Sequence, residues 1–330
     1  MSQPLVGRRH VAGDQAPVVL PWQRQLLGRL HFTGVFWYRL HALALRVLPR
    51  FLLAPGVLVF ATFFSITLRG VRRAIGHNLE WVRGERASWL RRQAWAFRTI
   101  WNHAWCMTET YDGLVGSSKE PDVLVEGVEH WDRVTSGLRG FVLVTAHVGH
   151  WEVGSRLARP GPRRKIHVVR APEIDPKAQE FLRSLLEQSG GDSFEVHFTR
   201  PDDPALGARL LGALRKGDVV ALQGDRARAG QRAVPVSLFG RLHEVPLGPA
   251  ALARAAEVPL LPVFVFRRGR ARSTVVFHPP IEVPRMADRD TDCRVAAAAI
   301  AAAVESAIRR EPNQWFCLRD LWGRPPRRAR

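Results

Sequence analysis

The chain has 330 residues, enough for one large α/β domain or two small ones, and 46% of them are hydrophobic, enough for a sizeable core. Its 49 basic residues, 45 of them Arg, against 30 acidic ones give a formal charge of +19. That charge favours polyanions such as nucleic acid or an anionic membrane surface. Cys106, Cys293 and Cys317 lie far apart with no CxxC pair, which argues against a disulfide scaffold or a Cys-rich zinc site and for small buried thiols.

Residues 1–21 are polar and carry Pro and Gly, without the apolar stretch of a cleaved signal peptide, and are expected to be disordered. Phe51 to Leu68 is an 18-residue run free of charge, at the lower limit for a membrane-spanning helix. Pro55-Gly56 interrupts it. Basic residues flank it on both sides: Arg39, Arg46 and Arg50 before, Arg69, Arg72 and Arg73 after. A span normally shows its Lys/Arg excess on one side, whereas a helix lying in the interface keeps both ends among anionic headgroups. Seven of the eleven Trp precede residue 106, and Trp favours the water–lipid interface. A buried core helix with Trp packed beneath it is the alternative.

Residues 85–112 carry apolar positions at three- to four-residue spacing (Trp89, Ala96, Ile100, Met107), which predicts a helix. The pattern then changes. Short apolar runs at 141–146, 166–169, 219–222, 260–266 and 274–277 predict buried strands. Helical stretches at 177–188, 204–215, 248–256 and the Ala-rich 293–310 alternate with several of them. Such alternation predicts an α/β fold with a largely parallel sheet flanked by helices. The expected organisation is a disordered start (1–21), a helical membrane-facing extension (22–112), an α/β core (113–322) and a basic tail (323–330).

The chemistry centres on Thr145-Ala-His147-Val-Gly-His-Trp-Glu152. His147 ends a predicted buried strand, where α/β proteins bind ligands. Gly149 permits a tight strand-to-helix bend that brings Glu152 towards His147. A carboxylate that fixes the imidazole tautomer lets the other ring nitrogen take a proton from a substrate hydroxyl. The spacing alone is weak evidence, because a chain with 12 His and 30 acids yields about one His-x4-acid match by chance. A hydrogen-bonded structural His147 is the bland alternative. A metal on His147 and His150 is another, but no third ligand stands out, so no metal is expected. No GxSxG, GxGxxG, P-loop or HExxH motif is present.

The segment from Phe141 to Ala158 resembles the His-x4-Asp/Glu motif of the bacterial lipid A late acyltransferases and the phosphatidylinositol mannoside acyltransferases. Further blocks follow the same order: Arg72-Arg73 to Asn78-Leu79, Val169-Arg170 with Phe181-Leu-Arg183, Gln223-Gly-Asp225-Arg226, Val234 to Gly240, Pro246 to Ala253, and Glu311-Pro-Asn-Gln-Trp315. His150 stands where the family often has Asn, and Pro-Asn-Gln replaces Pro-Glu-Gln. The resemblance, over residues 35–322, implies a glycerolipid-acyltransferase-like mixed sheet. It implies transfer of a fatty acyl chain from an acyl-carrier-protein or acyl-CoA thioester to a hydroxyl of a glycolipid or lysophospholipid. No bound cofactor is implied. His147 would be the general base and Glu152 its partner, while Arg170 or Arg183 would steady the oxyanion or hold an acceptor phosphate, and Asp225 and Arg226, at the same edge, would join them in binding substrate. It also implies work at the cytoplasmic face of the bacterial inner membrane, with no nucleic acid partner. A basic nucleic-acid-binding protein and a non-catalytic membrane scaffold remain the alternatives.

Overall fold

The computed structural model describes residues 35–114, 122–151, 164–172, 177, 179–180, 194–199, 203, 205–228, 230–286 and 288–326. The expectations for residues 1–21 and for most of helix 177–188 lie outside them.

Four helices lead: α1 (Val35–Val47), α2 (Leu53–Thr67), α3 (Arg69–Arg83) and α4 (Trp89–Leu114). Pro55 sits in the first turn of α2, where its missing N–H has no intrahelical partner to lose. Val57 and Ala61 of α2 pack with Ile75 and Leu79 of α3 and with Ala96, Ile100 and Trp105 of α4. The apolar run is therefore a helix with one face in a small core of its own and the other exposed, at Phe51, Leu58, Val59, Phe63 and Ile66. Gly84, in the left-handed conformation, ends α3.

The α/β part contains β1 (Asp122–Glu126), α5 (Val128–Thr135), β2 (Phe141–Thr145), β3 (Ile166–Arg170), β4 (Phe194–Phe198), α6 (Leu206–Arg215), β5 (Val219–Gln223), β6 (Ala233–Leu238), β7 (Arg241–Pro246), α7 (Gly248–Ala256), β8 (Leu260–Gly269), β9 (Arg272–Phe277) and α8 (Arg289–Arg310). The strands order as β1-β9-β8-β2-β5-β3-β4, with β6 and β7 a separate hairpin. Every neighbouring pair in the large sheet is parallel except β8–β9. This is the mixed, largely parallel sheet flanked by helices that the alternation predicts.

Both faces of β2 are covered, as a parallel sheet requires. Val142 and Val144 point into the main core with α7 and α8, while Phe141 and Leu143 point to the opposite layer with Val134 of α5. The Ala positions of α8 (Ala296, Ala297, Ala301, Ala307) let that helix approach the sheet closely. Asp288 caps α8, its carboxylate accepting from the Asp290 and Thr291 amides, so the helix starts four residues before the Ala-rich run. All three cysteines are buried free thiols, as their scatter predicts.

The helical extension and the core are stitched through the C-terminal segment. Buried Asn78 donates to the Arg319 carbonyl (2.7 Å) and accepts from the Leu321 amide (3.1 Å). Trp81 Nε1 donates to the Gly323 carbonyl, and Arg324 Nε lies 3.2 Å from the fully buried Glu80 carboxylate. The start of the expected tail is thus held by an ion pair, and residues 327–330 lie outside the described residues.

Candidate active site

Strand register creates the site. β2 and β5 are parallel neighbours, with Thr145 opposite Gln223. His147 and Asp225 each lie two residues beyond, so the sheet delivers both to one carboxyl edge, the ligand-binding edge of such sheets. His147 Nδ1 lies 2.7 Å from Asp225 Oδ1. The carboxylate accepts, so Nδ1 carries the proton and Nε2 holds a lone pair. The His147 side chain is 20% exposed and that of Asp225 is 0% exposed.

The loop after β2 is fastened on two sides. His150 N donates to the Val265 carbonyl on β8, Gly149 N to the Gln314 carbonyl, and Phe316 N to the His147 carbonyl. The Gln314 side chain completes this by bonding both backbone groups of Arg267. Gly149 has φ +54°, and a Cβ there would sit 2.2 Å from the Val265 carbonyl oxygen. The bend that the sequence assigns to Gly149 is therefore required twice, by backbone conformation and by close approach. Gly149→Ala is expected to destabilise the protein by about 3 kcal/mol or more through strain and overpacking. Equilibrium denaturation of purified protein checks this, and an unshifted midpoint contradicts the close approach.

Three further groups surround Asp225. Trp315 Nε1 donates to Oδ2 at 3.4 Å, Arg226 places a guanidinium nitrogen 3.2 Å from Oδ2, and His243 Nε2 donates to the Asp225 carbonyl at 2.8 Å. Burial alone would raise the Asp225 carboxyl, but the His147 imidazole and the Arg226 guanidinium outweigh it and hold Asp225 well below the usual carboxylate range. His147 moves down from its ordinary value. Burial is the main cause, Arg226 adds to it, and Asp225 opposes both. At neutral pH the pair is thus a carboxylate and a neutral imidazole, the state a general base needs.

The structure brings some of the expected site residues together, and two of them fall outside what it describes. Glu152 and Arg183 lie outside the described residues. The Nδ1 contact expected of Glu152 belongs to Asp225, which the sequence reading places among substrate-binding residues. Arg226, expected to bind substrate, directs its guanidinium to Asp225 and to the Phe316 carbonyl (3.3 Å). Arg170 ends β3 on the same edge and stacks over Trp151 (5.5 Å), which is itself edge-on to His147 (5.9 Å). Sequence reasoning missed Trp315 and His243 as supports of Asp225. The Gln314-Trp315 block is the signal that pointed to the first.

His150 is buried, 3% exposed. Its Nδ1 lies 3.1 Å from Ser273 Oγ and its Nε2 2.9 Å from Glu109 Oε2. Glu109 in turn meets Arg267 at 3.1 Å and accepts from the Ala271 amide. This network ties α4 to the loop carrying His147.

Comparison with known proteins finds relatives of this chain among lipid acyltransferases. The chain is 27% identical over 214 residues to a phosphatidylinositol mannoside acyltransferase of Mycobacterium tuberculosis, covering 62% of this chain and 61% of that protein. It is 25% identical over 235 residues to the protein of the same name from Mycolicibacterium smegmatis, covering 69% and 70%. The chain thus spans less than two thirds of the length of the first of these relatives. A solved 1-acyl-sn-glycerophosphate acyltransferase from Thermotoga maritima is 12% identical with a TM-score of 0.35, over 82% of this chain and 97% of that one. The sequence profile described as bacterial lipid A biosynthesis acyltransferase matches residues 24–324, so the chain belongs to that family.

Proposed function

We propose that this protein transfers a fatty acyl chain from an acyl-carrier-protein or acyl-CoA thioester to a hydroxyl of a membrane glycolipid or lysophospholipid. The observation that carries this reading is the His147–Asp225 pair, with Nδ1 held at 2.7 Å and Nε2 left as the basic nitrogen at the sheet edge. Nε2 takes the proton from the acceptor hydroxyl as its oxygen attacks the thioester carbonyl. Collapse of the tetrahedral intermediate expels the thiolate, which leaves as the thiol after taking that proton from the imidazolium. No protein nucleophile is needed. Asp225 steadies the transient imidazolium and fixes the tautomer, as a triad carboxylate does. Arg226 and Trp315 keep Asp225 ionised and aimed. Arg170, at the end of β3, is assigned to the oxyanion or to an acceptor phosphate. The experiment is acyl transfer by purified protein from a thioester donor to extracted lipids, read by mass spectrometry. A product one acyl chain heavier supports the reading, and its absence with every lipid class opposes it.

In this reading the acceptor resides in a membrane and the protein works at the cytoplasmic face of the inner membrane; the exposed face of α2 supports docking to a lipid surface. On α2, Val59 is 70% exposed and Ile66 60%, and Phe51, in the turn just before it, is 75% exposed; Arg flanks the segment at both ends. Contiguous exposed apolar side chains rimmed by cations suit an anionic lipid interface. Deleting the segment would remove Val57 and Ala61 from the helical core, so surface substitutions are the cleaner test. Replacing Phe51, Val59 and Ile66 with Glu is expected to release the protein from sedimented anionic vesicles while leaving its helical content intact. Undiminished co-sedimentation contradicts this docking face.

A further inference from the structure

β3 and β4 carry a second polar cluster on one face, separate from the acyl-transfer site. His167 is paired across the strands with Glu195, and His197 lies two residues further along β4. Alternation along a strand therefore sends all three side chains the same way. His167 Nδ1 lies 2.9 Å from His197 Nε2 and 3.6 Å from Glu195 Oε2, and His197 Nε2 lies 3.5 Å from Glu195 Oε1. On the far side of the ring, His167 Nε2 lies 3.3 Å from Asp218 Oδ2. Asp218 is itself fixed, its other oxygen accepting from the Lys165 amide at 2.9 Å.

These contacts bring several lone pairs to one point. Asp218 accepts, so His167 carries its proton on Nε2 and presents a lone pair at Nδ1. The Glu195 carboxylate also presents only lone pairs. Both converge on His197 Nε2, whose single N–H serves at most one of them well. A divalent cation in place of that proton satisfies all three at once. The spacing suits it, because ligand atoms about 2.1 Å from a tetrahedral ion stand roughly 3.4 Å apart. All three ligand atoms lie within 4.8 Å of one another. The Asp218–His167 contact is the carboxylate–imidazole support that metal-binding histidines commonly have. Arg209, a cation near this cluster, is engaged by Asp203.

We propose that His167, His197 and Glu195 bind a divalent transition-metal cation of the Zn2+ class, with Asp218 orienting His167. The carboxylate of Glu195 is half exposed and gives the ion a route in. The ion ties β3 to β4 three residues ahead of Arg170, and so clamps the strand that leads to the catalytic edge.

The test uses untagged full-length protein in detergent, dialysed to equilibrium against buffered micromolar Zn2+ and assayed for bound metal. One ion per chain is expected, with thermal stability raised by the metal. Glu195→Ala and His197→Ala are each expected to lose the ion and the stabilisation while folding without metal. Asp218→Asn is expected to weaken Zn2+ binding by about tenfold, as for other residues that support a ligand histidine. No retained metal in the wild type, or equal retention in both ligand variants, overturns the proposal and leaves a hydrogen-bonded histidine pair.

Discussion

His147→Ala is expected to slow acyl transfer by about 10²- to 10⁴-fold, the usual contribution of a positioned general base. The residual rate comes from binding and from the thioester, which is activated without help from the protein. The fold is expected to survive. His147 is a loop residue at the edge of the sheet, and Asp225 keeps Arg226 and Trp315 when the imidazole is gone. Loss of one hydrogen bond to a buried charge costs about 1–3 kcal/mol. The measurement is the single-turnover rate with a thioester donor and saturating lipid acceptor, alongside the far-ultraviolet circular dichroism spectrum. A wild-type rate would return the non-catalytic scaffold as the better reading.

Asp225→Asn is the second large effect, again about 10²- to 10⁴-fold in turnover, because the amide neither stabilises the imidazolium nor enforces the Nδ1–H tautomer. The change is nearly isosteric, so protein expression and helical content should be preserved. It also separates two carboxylates. Nδ1 of His147 is taken by Asp225, and Nε2 must face the substrate hydroxyl, so no ring nitrogen remains for a second acid. Asp225→Asn is therefore expected to cost more than Glu152→Gln. The opposite order would assign the orienting role to Glu152, as the motif spacing first suggests.

The strands that the sequence reveals are those buried on both faces, since uninterrupted runs such as Phe141-Val-Leu-Val need no partner to be recognised. The strands it hides are those with polar faces. Phe194-Glu-Val-His-Phe alternates, with Glu195 and His197 on one side, and Asp122–Glu126 is a short stretch at the opposite edge of the sheet. The hairpin β6–β7 appears in the sequence only as a block of family resemblance, because its purpose is tertiary, to support α8 and bring His243 beneath Asp225. The start of α8 is missed for a local reason, since Asp288 caps it before the Ala pattern begins.

The site divides along the same line. His147 is legible because it stands at the end of an apolar run. Asp225 is also visible, three residues past another, but its bond to His147 depends on β2 and β5 being neighbours in register. Strand order is a long-range property, and the 78-residue separation of the two side chains carries no periodic trace of it. Reading the nearest acid in sequence as the partner therefore selects Glu152, while the sheet selects Asp225. Trp315 is more remote still, brought in by the backbone pairing of Val148 with Trp315.

The most direct test of the paired base is a double-mutant comparison of single-turnover acyl transfer in the wild type, His147→Ala, Asp225→Asn and the double variant. If Asp225 acts through His147, the double variant is as slow as His147→Ala alone, because residues that act as one unit are not additive. If the two losses multiply, or if Asp225→Asn retains the wild-type rate, the carboxylate does not serve this imidazole and the account is wrong.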